Sequence, residues 1–287
     1  MTVEEALREA GRRLRDARDA TPEFDAELLL RHVLGWDRAT LVAEGRSLLP
    51  DEPLRRFRSL VEERAKGRPI QHLTETQHFW RHEFRVTPDV LIPRPETELI
   101  VEAAIELLRP IAKPIVVDVG TGSGCIALSL AADRPDAAVH AVDVSPAALA
   151  VAEDNARRLG LEGRVTFHLG DLLAPLRGLE DSIDLVASNP PYVDPADPGL
   201  APEVRDHEPA VALHPPGGAA SLYRRLIAEA GNLLRPGGFL VMEVGQGMAR
   251  EVSNLCEAGG FAVKSVLEDM AGIPRTVVAV TGRTRQA

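Results

Sequence analysis

Apolar residues in the first part of the chain recur at the spacing of three and four residues that is typical of amphipathic helices. Thr2 and Glu5 have the separation of a capping box at the start of the first helix. The pattern predicts a small helical bundle over residues 1–67. Its four helices are expected to begin behind Thr2, at Thr21-Pro22, near Ala39 and at an Asp51 cap, and the second and fourth to end at Gly35 and Gly67.

Residues 68–93 show a different pattern, in which aromatic or aliphatic residues alternate with polar ones, as in HFWRHEFRVTPDVLI. Alternation of this kind predicts a half-buried β-hairpin, which would act here as a linker. His78 and His82 lie four residues apart within it and could share a face. Two histidines without a third ligand do not make a metal site, so we predict no metal site in this chain.

Beyond Lys113, short apolar strands alternate with helices to the end of the chain. Examples of these strands are PIVVDVG, AAVHAVDV and SIDLVASN. Repeated units of strand and helix predict an α/β fold with a mostly parallel, doubly wound sheet. We assign this fold to residues 94–287, which open on RPETE and a helix, and we expect LHPPGGAAS to be a mobile loop.

The chain has 287 residues, of which 45% are hydrophobic, and this is enough for a substantial core. No apolar run approaches the roughly 18 residues of a membrane span, and the charged N-terminus has no signal-peptide core. We therefore expect a soluble, cytoplasmic protein without a membrane partner. Cys125 and Cys256 are too few for a disulfide framework and are expected to be core residues.

The net charge of −10 is unevenly distributed along the chain. Residues 1–70 contain as many basic as acidic side chains, so the whole acidic excess lies in the remainder. A polyanion would be repelled by that part of the protein. The charge distribution therefore disfavours nucleic acid as a direct substrate.

A glycine loop, DVGTGSGC, lies between the first strand of the α/β part and the following helix. Its segment from Gly120 to Gly124 would let the backbone turn tightly and approach a ligand, although its spacing departs from the dinucleotide fingerprint. Asp143 ends the next strand, where an acid binds ribose hydroxyls. Asp171 ends the third strand, where its carboxylate could accept from an adenine amino group while Leu172 covers the ring. The glycines and Asp143 fit NAD and S-adenosylmethionine alike.

The fourth strand of this part runs into Asn189-Pro190-Pro191-Tyr192. Because prolines cannot donate to a sheet ladder, we expect the tetrapeptide at the carboxyl edge of the sheet, where ligands bind. Together with the glycine loop and Asp143, it resembles the motif of class I methyltransferases that alkylate planar amide or amine nitrogens. The Asn189 side-chain oxygen and the Pro190 carbonyl offer two acceptors for the two N–H bonds of an NH₂ group, and Tyr192 would pack on the flat substrate. Catalysis would then rest mostly on positioning and electrostatics.

Several segments together resemble one family over nearly the whole chain, namely GRPIQHLTETQHFW, LIPRPETELIVE, VDVGTGSGCIALSLA, SNPPYVD and AGIPRTVVA. The chain is similar to the HemK/PrmC family, the peptide chain release factor glutamine N5-methyltransferases. The resemblance implies a class I, Rossmann-like methyltransferase domain that uses S-adenosylmethionine and releases S-adenosylhomocysteine. It also implies methylation of the glutamine side-chain amide in the Gly-Gly-Gln motif of class 1 release factors. These factors would be the partners, and residues 1–67 would be a substrate-docking domain.

The resemblance also implies roles for individual residues. The catalytic residues would be Asn189, Pro190 and Tyr192. The cofactor would be bound by Gly120, Thr121, Gly122, Ser123, Gly124, Asp143, Asp171, Leu172 and Asn189. The acceptor glutamine would be bound by Asn189, Pro190, Pro191 and Tyr192, with Phe79 and Arg94 near the pocket.

Two places depart from the family pattern. The segment from His214 to Leu222 stands where relatives often have an acidic, glycine-rich segment, which bears on any contact that the acid makes. Glu75 stands where the linker commonly has glycine, which concerns the shape of a turn.

Three other functions compete with this one at the level of sequence. A DNA or RNA adenine N6-methyltransferase would make the same demand on Asn189, and the acidic excess of the α/β part stands against it. An NAD-dependent oxidoreductase is permitted by Gly120, Gly122 and Asp143 but leaves the tetrapeptide unexplained. A non-enzymatic docking protein would bind S-adenosylmethionine without consuming it.

Overall fold

The structure, a computed structural model, describes residues 1–282 of the chain. Within them the chain divides into two units. One contains Met1–Thr76 and Leu200–His207, and the other contains Gln77–Gly199 and the chain from Glu208 onward. The three-part division at residues 67 and 93 stays a prediction, and residues 283–287 of its last part lie outside the described residues.

Helices form most of the first unit and also occur throughout the second. The first five along the chain are α1 Val3–Asp16, α2 Pro22–Leu34, α3 Arg38–Ala43, α4 Asp51–Ala65 and α5 Ile70–Thr74. Those that follow are α6 Glu98–Leu108, α7 Cys125–Asp133, α8 Pro146–Arg158, α9 Pro202–His207, α10 Ala210–Leu213, α11 Ala219–Leu233 and α12 Ala249–Ala258. Helix α9 belongs to the first unit. None of the described helices is long and apolar enough to cross a bilayer.

The four predicted helices of the first unit are confirmed, with small changes at their ends. Thr2 and Glu5 form the predicted capping box of α1, and Gly35 ends α2 with a left-handed φ of 65°. Asp51 is the first residue of α4 rather than its cap, because Pro50 occupies the capping position. The apolar faces of these helices meet in a core that includes Leu14, Leu29, Leu30 and Phe57.

A buried ion cluster holds α9 in the first unit. The Arg64 side chain is 10% exposed, and its guanidinium lies 2.6 Å from the Asp25 carboxylate and 2.7 Å from that of Asp19. It also donates to Glu203 of α9 at 2.9 Å. The chain therefore leaves the second unit after the Asn189–Tyr192 motif, adds one helix to the first unit and returns.

The hairpin is shorter than the sequence predicted. Its strands are β1 Thr76–Phe79 and β2 His82–Arg85, and α5 occupies the residues before them. A helix of five residues is too short for its period to show in the sequence. It ends at Glu75, whose φ of 56° is left-handed and suits the glycine of the family pattern.

The second unit is built on a seven-stranded sheet. Its strands are β3 Ile115–Val119, β4 Ala138–Asp143, β5 Val165–Leu169, β6 Ile183–Ser188, β7 Leu234–Glu243, β8 Phe261–Glu268 and β9 Pro274–Thr281. They lie in the order β5-β4-β3-β6-β7-β9-β8, and of these seven described strands β9 runs opposite to the other six. The predicted α/β fold with a mostly parallel sheet is confirmed.

The strand order changes direction at β3, because β4 and β5 lie on one side of it and β6 and β7 on the other. A switch point of this kind opens a crevice at the carboxyl ends of the strands. Val119 at the end of β3 lies opposite Ser188 at the end of β6, and the Ser188 hydroxyl donates to the Val119 carbonyl at 2.8 Å. The glycine loop and the Asn189–Tyr192 motif therefore leave the sheet side by side.

The segment LHPPGGAAS is only partly a loop, contrary to the prediction. Ala219, Ala220 and Ser221 form the first turn of α11, behind a turn in which Gly217 and Gly218 have positive φ values. The two free cysteines of the described residues, Cys125 and Cys256, are buried, as predicted for core residues.

Candidate active site

The glycine loop joins β3 to α7 in a backbone conformation that residues with a Cβ rarely adopt. Gly120, Gly122 and Gly124 have left-handed φ values of 73°, 55° and 81°. A Cβ added at Gly124 would lie 2.9 Å from Leu128 Cδ1 and 3.1 Å from Ala152 Cβ. A Cβ added at Gly122 would meet nothing within 4 Å. The loop therefore has a packed inner side and an open outer side that a ligand can approach.

Asp118, near the end of β3, is a buried polar group beneath the loop. Its Oδ2 accepts from the Thr121 hydroxyl at 2.7 Å and from the Ala127 backbone N–H at 3.2 Å. Its Oδ1 has no hydrogen-bond partner among the described residues. Burial raises the pKa of this carboxyl to about 7. Asp118 is fully buried, so it supports the loop from beneath and engages the Thr121 hydroxyl.

Asp143 ends β4 at the same edge of the sheet and contacts the loop. Its Oδ2 accepts from the Gly122 N–H and its Oδ1 from the Ser145 N–H, both at 2.9 Å. Burial raises the pKa of Asp143 in spite of these bonds. Each carboxylate oxygen has a second lone pair, so the group can also accept from the hydroxyls of a ligand.

The residues that follow β5 differ in how accessible they are. Asp171 is exposed and forms an ion pair with Arg225 of α11. Leu172 has a left-handed φ of 48° and a side chain that is packed in the core, with 8% exposed. Asp171 is therefore accessible to a ligand, but Leu172 has little surface with which to cover a ring. The exposed apolar side chains at the ends of β4 and β5 are instead Val144 and Leu169.

Asn189 begins the tetrapeptide directly beside the glycine loop. A Cβ added at Gly120 would lie 3.9 Å from the Asn189 backbone oxygen, so the two sequence motifs adjoin. Pro190 is buried, whereas Asn189 and Tyr192 are partly exposed. The motif thus presents an amide and a phenol at the crevice on a backbone that the two prolines stiffen.

The side chains of the tetrapeptide are held by residues from two distant parts of the chain. Asn189 Nδ2 donates to Thr97 Oγ1 at 3.1 Å, and the Thr97 hydroxyl donates to Glu243 Oε2 at 2.5 Å. The Tyr192 hydroxyl donates to the other oxygen, Glu243 Oε1, at 3.0 Å. Glu243 is 2% exposed, and burial raises its pKa. A single buried carboxyl therefore links both ends of the motif.

The Tyr192 ring packs against glycine backbone. A Cβ added at Gly245 would lie 3.0 Å from Tyr192 Cδ2 and 2.8 Å from Met248 Sδ, so the close approach of the ring requires glycine. Burial and the adjacent Glu243 raise the pKa of the Tyr192 phenol, which keeps it protonated as a donor. Tyr192 therefore forms a fixed wall of the crevice.

Two residues predicted near the substrate are engaged in other contacts. Phe79 is 1% exposed and packs edge to face against Phe84, with ring centroids 6.1 Å apart. This packing gives Phe79 a place in the core and no surface to offer a substrate. Arg94 forms an ion pair with the buried Glu208, which also accepts from the Ile92 N–H at 3.1 Å. The Arg94 side chain is still 33% exposed, and its contact with substrate stays a prediction.

Four residues of the site have no assigned role in the sequence-based prediction. Asp118 and Glu243 are acids near the ends of apolar strands, and that contrast is a usable sequence signal. Thr97 lies within the PRPETE segment. Asn155 of α8 supports the loop by donating its amide to the Ser123 carbonyl at 2.9 Å, and no sequence pattern marks it.

The polar groups of the site are carboxylates, hydroxyls and an amide. Within residues 1–282 no three His, Cys, Asp or Glu side chains come together as they would to hold a metal ion. In the hairpin, His78 lies 3.3 Å from the Glu83 carboxylate.

Comparison with known proteins accounts for both parts of the chain. The family described as PrmC N-terminal domain matches residues 5–74, and the family described as methyltransferase domain matches residues 112–271. A release factor glutamine methyltransferase of Moorella thermoacetica is 45% identical over 281 residues, which cover 97% of this chain and 98% of that protein. The chain belongs to the release factor glutamine methyltransferase family.

Another member of the release factor glutamine methyltransferase family, from Cereibacter sphaeroides, is 43% identical and covers 97% of this chain and 98% of its own. Among solved structures, the hMettl16 catalytic domain in complex with MAT2A 3'UTR hairpin 6 matches 70% of this chain and 76% of that one. Its TM-score is 0.54 at 18% identity, so the match shows the fold alone. The predicted enzyme class, a methyltransferase, is confirmed, and methyltransferase domains in general use S-adenosylmethionine.

Proposed function

We propose that this chain transfers a methyl group from S-adenosylmethionine to the side-chain amide nitrogen of the glutamine in the Gly-Gly-Gln motif of class 1 peptide chain release factors. The names of relatives that align with 97% of the chain support this substrate. The structural observation that carries it is the placement of Asn189 next to the glycine loop, with its Nδ2 engaged by Thr97. That contact leaves the side-chain oxygen as an acceptor for a substrate N–H.

The residues at the ends of β3 and β4 fit S-adenosylmethionine. When bound, this cofactor supplies an electrophilic methyl group on a sulfonium centre. The open side of Gly122 lets the backbone approach the ligand, and the remaining lone pairs of Asp143 accept from ribose hydroxyls. Asp118 is buried beneath the loop, where it holds Thr121 and the start of α7 in place. Gly120, Ser123 and Gly124 shape the loop around these contacts.

The residues at the ends of β4 and β5 fit the adenine ring. Val144 and Leu169 offer exposed apolar surface, and the Asp171 carboxylate is exposed as an acceptor for an exocyclic amino group. Leu172 contributes through the left-handed turn that it forms rather than through its buried side chain.

The residues at the end of β6 orient the acceptor. Asn189 Oδ1 and the Pro190 carbonyl accept the two N–H bonds of the glutamine amide, and Pro191 stiffens the backbone that carries them. Holding both hydrogens fixes the orientation of the nitrogen, so that its lone pair can face the methyl group in line. The Tyr192 ring packs on the flat amide. Catalysis by these residues is positioning and electrostatic stabilisation. As the nitrogen–methyl bond forms, the methyl–sulfur bond of the cofactor would break to leave S-adenosylhomocysteine, and one amide proton would pass to solvent.

The reaction is tested by methyl transfer from radiolabelled S-adenosylmethionine to an unmodified class 1 release factor. The matched control is the same factor with the Gly-Gly-Gln glutamine replaced by glutamate. We expect label in the first factor and none in the control. A folded preparation that binds S-adenosylmethionine but labels neither factor would contradict the proposed substrate.

The same assay separates the other candidate functions. Oligonucleotides that contain adenine are expected to receive no label, in keeping with the acidic excess of the second unit. A docking protein without catalysis would retain S-adenosylmethionine and label nothing. An assay of NAD reduction is expected to show no turnover.

A further inference from the structure

The PRPETE segment meets the tetrapeptide through one hydroxyl. Thr97 is 2% exposed, and its Oγ1 lies between Asn189 Nδ2 at 3.1 Å and Glu243 Oε2 at 2.5 Å. All three side chains belong to the second unit, although Asn189 follows Thr97 by 92 positions. A buried hydroxyl between an amide and a carboxylate constrains the direction of both of its hydrogen bonds.

The direction follows from the protons that are available. The Thr97 hydroxyl donates its single proton to Glu243 Oε2 at 2.5 Å, and Glu243 Oε1 accepts from the Tyr192 hydroxyl, so both carboxyl oxygens act as acceptors toward these hydroxyls. The Thr97 oxygen can then serve Asn189 only as an acceptor. The amide must place its NH₂ end against Thr97, and its oxygen is turned away. The reversed amide would put two acceptor oxygens against each other without a proton between them.

We propose that Thr97 and Glu243 are positioning residues that fix the Asn189 amide with its oxygen toward the methyl-accepting nitrogen, an inference that rests on the proposed function. With the amide reversed, the Asn189 NH₂ group would face the NH₂ group of the substrate, and two donors do not bind each other. The same carboxylate holds the Tyr192 hydroxyl at 3.0 Å, so one buried acid orders both side chains around the acceptor.

Two substitutions break the hydrogen bonds that run from Asn189 through Thr97 to Glu243, and neither changes the size of the side chain much. Thr97→Val removes the hydroxyl, and Glu243→Gln supplies an NH₂ group that can donate to Thr97. In the second variant, the Thr97 proton is free to go to Asn189 Oδ1, which favours the reversed amide. Thr97→Ser keeps the hydroxyl and is the conservative rescue.

Thr276 offers a matched control for the loss of a buried hydroxyl. It lies opposite Glu243 in the pairing of β7 with β9 and is fully buried. Its hydroxyl has no hydrogen-bond partner among the described residues. Thr276→Val therefore makes the same chemical change beside the same acid without touching the chain of hydrogen bonds.

The experiment is steady-state methylation of an unmodified class 1 release factor by the full chain and these variants, with thermal melting of each. We expect Thr97→Val and Glu243→Gln each to lower kcat by about tenfold to a hundredfold, with the KM for S-adenosylmethionine unchanged. Thr97→Ser and Thr276→Val should stay near wild type. The kcat of the double variant Thr97→Val with Glu243→Gln should be little lower than that of the worse single variant, because both substitutions break the same series of hydrogen bonds.

Three results would overturn the positioning role. They are wild-type kcat in Thr97→Val, an equal loss in Thr276→Val, and losses that multiply in the double variant. If Thr97→Val does not fold, Glu243→Gln alone tests the positioning role. A wild-type kcat in Glu243→Gln would then contradict that role. An inactive wild-type enzyme would instead overturn the proposed function itself.

Discussion

The two halves of the site are constructed in different ways. The half at β3 and β4 is formed largely by backbone, with three glycines in left-handed conformations and the Gly122 N–H bonded to Asp143. The half at β6 and β7 is formed by side chains, in which Thr97, Glu243 and Tyr192 join around Asn189. The first half is therefore sensitive to substitution of its left-handed glycines, above all the packed Gly124, and the second half is sensitive to the loss of a polar side-chain atom.

This difference matches the two tasks that we propose. A cofactor must be bound tightly and released, and a shaped loop with open space above it does this for a ligand of fixed structure. The acceptor amide needs an exact direction for its lone pair, and only ordered donors and acceptors supply direction. The two halves should therefore respond to mutation in separable ways.

The largest expected effect is the loss of turnover in Asn189→Ala. Removing the acceptor oxygen should lower kcat by about 10²–10³-fold, because it acts on the reacting nitrogen. The affinity for S-adenosylmethionine, measured by calorimetry, should stay nearly unchanged. A parallel loss of cofactor affinity would contradict the division into two halves.

In the backbone half, Gly124→Ala should destabilise the protein by about 2–4 kcal/mol. The new Cβ combines a left-handed φ of 81° with contacts of 2.9 and 3.1 Å to Leu128 and Ala152. Gly160→Ala is the control, since Gly160 has a φ of 67° and nothing within 4 Å of the added Cβ. Denaturant unfolding should show a larger loss of unfolding free energy for Gly124→Ala than for Gly160→Ala. Equal losses would mean that the left-handed φ alone, and not the close contacts, causes the destabilisation.

Each half contains a buried carboxyl, but only Asp118 has an oxygen without a partner among the described residues. Burial raises the pKa of Asp118 from 3.8 to about 7. At pH values between these two, the folded protein keeps a proton on Asp118 that the unfolded chain has already released. Stability from this group is therefore present at low pH and lost as pH rises from about 4 to about 7.

In the Asp118→Asn variant, residue 118 no longer titrates. The pH dependence that all other titratable groups contribute to stability is the same in both proteins, so it cancels in the comparison with wild type. The variant's free energy of unfolding relative to wild type should rise by about 2–4 kcal/mol between pH 4.5 and pH 8. The measurement is denaturant unfolding without cofactor at several pH values. A difference that stays flat across this window would show that Asp118 is ionised throughout.

The smallest of these effects is expected for Asp143→Ala. Loss of its charged hydrogen bonds should weaken S-adenosylmethionine binding by about 10- to 100-fold, which corresponds to about 1.5–3 kcal/mol. Turnover at saturating cofactor should stay near wild type, the reverse of the result for Asn189→Ala. Unchanged affinity would remove Asp143 from the cofactor site.

The backbone half was largely predictable from the sequence because its parts are local. The glycines are contiguous, and strand ends such as that at Asp143 are visible in the apolar pattern. The side-chain half was predictable only at Asn189-Pro190-Pro191-Tyr192. Thr97 precedes Asn189 by 92 positions and Glu243 follows Tyr192 by 51. The sheet order that puts β7 beside β6 brings Glu243 to the motif, and Thr97 reaches it from the turn before α6.

The placement of Phe79 shows the same limit. Alternation of polar and apolar residues indicates a hairpin but does not say what its apolar face will contact. In the fold that face packs into the core, which holds Phe79 against Phe84. A short helix such as α5 is likewise invisible, because five residues do not complete two helical turns.

The central claim is that Asn189 and Pro190 hold the side-chain amide of one glutamine. The most direct measurement is tandem mass spectrometry of a class 1 release factor after incubation with the enzyme and S-adenosylmethionine. We predict one added methyl group, located on the side-chain nitrogen of the Gly-Gly-Gln glutamine and absent with Asn189→Ala. A methyl group on another residue, or equal methylation by Asn189→Ala, would contradict the claim.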